Sequence, residues 1–61
     1  MRLAAALERL PDDYRDVIIR RDLMGAPVAD IAARMTRSEK AVAGLLLRAR
    51  RQLRGLLAEP Q

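Results

Sequence analysis

The 61-residue chain contains no cysteine, histidine, tryptophan or phenylalanine, and Tyr14 is its one aromatic residue. Without cysteine there is no disulfide to staple a small core and no thiolate to hold a metal. Without histidine the chain lacks the usual general base and the commonest metal ligand. Its close carboxylate pairs are Asp12/Asp13 and Asp13/Asp16, and a helix N-terminus, which favours negative charge, accounts for both. These absences argue against an enzyme, so no catalytic residue, metal or cofactor is expected. No apolar run approaches the ~20 residues that span a bilayer, and the N-terminus lacks a signal-peptide core. A cytoplasmic protein with no membrane partner is expected. One domain is the most this length allows, and its core is marginal, so stability must come from helix packing, a partner or a larger parent chain.

Charge is present and unevenly placed. The net charge is +4, yet residues 1–36 hold six basic and six acidic side chains and balance to zero. The whole excess lies in residues 37–61, where Arg37, Lys40, Arg48, Arg50, Arg51 and Arg54 face only Glu39 and Glu59. Positive charge gathered into one terminal element suits a polyanion partner, although a merely solubilising face would have the same composition.

No stretch has the period of two that marks a strand, and glycine and proline punctuate helical patterns. Leu3, Leu7 and Leu10 share one face of a first helix over about 2–10. Pro11 ends it and opens a second over about 12–24, with Tyr14, Val17, Ile18 and Arg21 on one side and Ile19 and Leu23 beside them. Gly25 suits the position just past a helix end. Pro27 opens a third helix over 28–35, with Ile31 and Met35 as an apolar pair and Ala32 small enough for close approach. Ser38 is the best cap for a last helix over 39–58, although Thr36 with Glu39 also fits a capping box. The expected fold is all-α: a small four-helix domain over 1–58 with a C-terminal helix-turn-helix, followed by a frayed tail at 59–61.

A short helix, a tight turn and a longer basic helix form the unit whose second helix enters the DNA major groove. At 100° per residue, Val42, Leu46, Ala49 and Leu53 cluster as the core stripe of the last helix, with Leu45, Leu56 and Leu57 at its margins. Lys40, Ala43, Gly44, Leu47, Arg51 and Arg54 lie opposite, and Arg48 and Arg50 flank the stripe. The arginines at 48, 50, 51 and 54 suit phosphate contact, because a guanidinium offers a planar fork of donors. Base reading falls to the start of the helix, where Arg37, Ser38, Glu39, Lys40, Ala43 and Gly44 are available.

Residues 7–57 resemble region four of bacterial sigma factors of the extracytoplasmic-function type. The matching pieces are "LPDDYRDVI" at 10–18, "RDLMG" at 21–25, "DIAARM" at 30–35 and "VAGLLLRARRQLR" at 42–54. The resemblance implies a four-helix domain that binds the minus-35 element of double-stranded promoter DNA and docks on the flap of the RNA polymerase beta subunit. An anti-sigma factor is a further partner of such domains. The family's DNA-contacting positions fall on Arg37, Ser38, Lys40, Ala43, Gly44, Leu47 and Arg48. Arg48 agrees with the family's common arginine. Ala43 and Gly44 replace its usual Lys or Arg and Ser, and Leu47 replaces a frequent His or aromatic residue. The family's minus-10-binding region has no counterpart here, which leaves a piece of a longer factor and a stand-alone module both open.

Other readings use the same residues. The fold could serve as a protein-interaction module, with Leu47, Ala43 and Gly44 forming an apolar patch for an anti-sigma factor, a second copy or a neighbouring domain. The chain also resembles, more weakly, the DNA-binding domain of LuxR-type regulators. A helix lying on a membrane surface is disfavoured, because the arginines occupy both flanks of the apolar stripe.

Overall fold

In the computed structural model residues 2–58 are described; the expected tail at 59–61 lies outside them. Four helices follow one another: α1 Leu3–Glu8, α2 Asp12–Ile18, α3 Val28–Met35 and α4 Glu39–Ala58, with α2 continuing into a π-helical segment, Ile19–Leu23. No strand occurs among the described residues. The third and fourth helices have the expected bounds. The first is shorter than expected, because the Arg9 and Leu10 amides bond to the carbonyls of Ala6 and Leu7 in a tighter exit turn.

The caps follow from residue chemistry. Pro11 and Pro27 sit immediately before α2 and α3 with extended ψ of 150° and 145°. Neither needs an amide there, since the first turn of a helix leaves its amides unpaired. Asp12 and Asp13 occupy the first turn of α2, where negative charge meets the positive end of the dipole. Ser38 accepts a bond from the Ala41 amide at 3.0 Å and caps α4. Thr36 has another task. It takes the left-handed conformation (φ 55°, ψ 47°) that stops α3, and the next amide, of Arg37, reaches back to Ala32 at 2.9 Å.

The second helix departs from expectation at its C-terminal half. Its last turn is wide: the Met24 amide bonds to Ile19 five residues back, and Ala26 bonds to Arg20 across Gly25, which has φ of 75°. One extra residue per turn shifts the side chains that follow it. Leu23 is consequently 57% exposed and Met24 68%, rather than continuing the apolar face.

The core is assembled on α4, against which α1, α2 and α3 all pack. Its buried members are Leu7, Leu10, Val17, Ile18, Ile31, Ala32, Val42, Leu45, Leu46 and Ala49. Ile18, Ile31, Val17 and Val42 are the largest fully buried side chains, each contributing about 1.5–3 kcal/mol through loss of apolar surface from water. Three assignments change. Leu3 is exposed while Ala6 is fully buried, because α1 turns its Ala6/Leu7/Leu10 edge inward. Leu45, expected at the margin, is as buried as Leu46. Leu53 is only partly buried, and no residue of α4 beyond Ala49 is buried. The second half of α4 is held more lightly, by Leu53 and Leu56 partly buried against the core, in a molecule measuring 38 × 18 × 15 Å.

Candidate nucleic-acid interface

The face of α4 turned from the core carries Lys40, Ala43, Leu47, Arg51 and Arg54, all exposed, with Gly44 half-buried. Ala43 and Gly44 keep the early part of this face low, so that a surface can approach the backbone. A Cβ on Gly44 would stand 3.4 Å from Nη1 of Arg48, which shows the Arg48 guanidinium lying back over the glycine.

Beside this face an open groove of about 730 Å³ runs between α4 and the start of α2. Arg37, Lys40, Gly44 and Arg48 form one wall, and Asp12, Asp13 and Tyr14 stand on the other. Four candidate residues from the sequence therefore share one groove. Ala43, Leu47 and Arg51 lie on the outer face, and the Ser38 hydroxyl is engaged as the α4 cap.

Two arginines are already partnered. Arg37 donates through Nη2 to Oδ2 of Asp13 at 2.6 Å, across 24 residues of sequence. Arg50 lies on the opposite flank and donates to both carboxylate oxygens of Asp22, with Nε at 2.9 Å from Oδ2. This fork-to-carboxylate match is the geometry that arginine is built for. The Arg50 hydrogen bond holds the Asp22 carboxyl below its usual 3.8; partial burial opposes that shift, and the charges of Arg50 and Arg21 assist it. Asp22 raises Arg50 in return. Both carboxylates belong to the element formed by α2 and its π continuation, so that element is tied at its two ends to the helix-turn-helix unit. Lys40, Arg48, Arg51 and Arg54 make no ion pair among the described residues. Sequence reasoning assigned Asp13 to the helix dipole and gave Asp22 no role. Partners 24 and 28 residues away leave no local signal.

No group of histidine, cysteine, aspartate or glutamate suited to a metal occurs among the described residues, and no helix there is long and apolar enough to cross a membrane. No curated protein and no solved structure matches the chain. The family model for sigma-70, region 4, matches residues 1–53, and the all-helical fold agrees with it. The chain belongs to the sigma-70 region 4 family of helix-turn-helix domains, which bind DNA in transcription initiation rather than catalyse a reaction.

Proposed function

We propose that this domain reads the minus-35 element of a promoter by laying the N-terminal half of α4 in the major groove, within a sigma factor of the extracytoplasmic-function type. Of the five cations on α4, only Arg50 is matched by a carboxylate among the described residues; this observation carries the reading. Arg48 and Arg51 grip phosphates on the two sides of the groove, and Arg50 adds the donors that Asp22 leaves over. Lys40, Arg37 and the Ser38 hydroxyl reach base edges or the adjoining backbone. Ala43 and Gly44 admit the helix, and Leu47 lies against a thymine methyl or a sugar. The domain docks at the same time on the beta-subunit flap of RNA polymerase, in the cytoplasm. Promoter duplexes with candidate minus-35 elements, titrated at two salt concentrations, test this. Preference for one element together with a steep salt dependence is expected. Equal binding to scrambled duplexes would remove the base-reading role.

A second reading rests on Leu47, which is 58% exposed at the middle of the outer face. Such a residue also suits an apolar contact with an anti-sigma factor or another protein chain.

A further inference from the structure

Resting on the promoter-binding reading, we propose that Asp13 is an internal competitor for the DNA backbone: its carboxylate occupies the Arg37 guanidinium in the free domain and restrains the hold on phosphate that Arg37 would add. A carboxylate and a phosphate present similar oxygen acceptors to a guanidinium, so one can stand where the other will bind. The 2.6 Å contact places Asp13 in that position. Arg37 is well fixed to serve as the contested group. Its amide is bonded to Ala32 at the stop of α3, and Ser38 beside it caps α4. Its side chain therefore starts from a rigid point in the helix-turn-helix turn.

The surroundings give this pair a role beyond that of a tie between elements. Arg37 and Asp13 line the same groove as Lys40 and Arg48, which have no ion-pair partner among the described residues. The groove's other carboxylate, Asp12, is held by Arg15 within its own helix. The side chains of Arg37 and Asp13 are 36% and 55% exposed, so solvent screens the pair and a phosphate can displace it. When Arg37 transfers to DNA, Asp13 stands bare beside a polyanion and recruits a cation. That uptake offsets one of the counterions released by the new phosphate contact. Asp13 thus lowers affinity and flattens the salt dependence together.

The test is fluorescence anisotropy of a labelled promoter duplex with the whole chain over a series of salt concentrations. Asp13→Asn should bind about two- to fivefold more tightly, the range an exposed pair can contribute. Its log–log salt slope should steepen by about 0.9. Arg37→Ala should weaken binding modestly in the parent and more in Asp13→Asn, so that the gain from Asp13→Asn disappears when Arg37 is absent. Asp12→Asn removes the same charge from the same groove and should give a smaller gain that does not depend on Arg37. Asp13→Ser, which also keeps a helix-starting side chain, should give the same gain and replaces Asp13→Asn in the test should the amide disturb α2. A gain for Asp13→Asn that persists without Arg37 would reduce the effect to general charge and overturn the proposal. So would unchanged or weaker binding by both Asp13 variants at parental melting temperature. A parent that binds no duplex overturns the promoter reading and this proposal together; a parent that binds while the variants gain nothing overturns the role of Asp13 alone.

Discussion

Leu47 is the residue whose position separates the two functional readings. It stands 58% exposed between Lys40 and Arg51 on the outer face of α4, while its neighbours Leu45 and Leu46 are 5% and 4% exposed. Leu47→Arg should retain or raise affinity for duplexes and alter the preferred sequence, as measured by competition between promoter variants. Loss of a protein complex with DNA binding unchanged in strength and preference would instead identify a protein interface, where an unpaired buried charge is costly. The core residues of the same helix differ in weight. Leu46→Ala removes a buried side chain and should cost about 2–5 kcal/mol, most of what a domain this small has. Leu53 is half-buried, so Leu53→Ala should leave a cooperative transition at a modestly lower temperature. Thermal unfolding followed by circular dichroism checks both, and equal losses would contradict the burial difference.

At the scale of elements, the π continuation of α2 decides where Asp22 points. The pair it makes with Arg50 has side-chain exposures of 32% and 45%, so its contribution is limited to about 1 kcal/mol. Because the folded carboxyl lies below its ordinary value, that contribution is present above about pH 4 and fades as pH falls through the folded value. Asp22→Asn should therefore be less stable than the parent near neutrality and equal to it in strong acid. Denaturant titrations at several pH values measure this, and a gap that persists in strong acid would assign the effect to something other than the ion pair. This element was also the least legible in the sequence. Pro27, Ser38 and the Ile31/Met35 spacing mark α3 and α4 to the residue, because caps and apolar periodicity are local. "IIRRDL" carries no local mark of a wide turn, and an α-helical continuation fits its residues equally well. The side assigned to Leu23 failed for that reason. The outer face of α4 was legible from periodicity alone, whereas the engagement of Arg37 and Arg50 depends on tertiary placement of two aspartates.

Across the whole molecule, charge is sorted by element. The α2 unit supplies carboxylates that hold Arg37 and Arg50, and α4 keeps Lys40, Arg48, Arg51 and Arg54 for solvent. Arg48→Ala and Arg51→Ala should each weaken binding to all duplexes by a similar factor and reduce the salt slope by about 0.9. Unchanged slopes in both would show that α4 does not lie along a DNA backbone. The shape of the molecule has its own consequence. Every buried side chain of α4 lies at or before Ala49, although the helix continues to Ala58. A helical stretch held by few tertiary contacts opens far more readily than one locked in a core. Amide hydrogens from Leu45 to Ala49 should therefore exchange with deuterium only through global unfolding, while those after Leu53 exchange through local fraying orders of magnitude sooner. A single α-helix would then behave as two kinetic bodies: a long fixed part that presents its side chains in one orientation, and a last turn that melts and reforms many times during each lifetime of the fold.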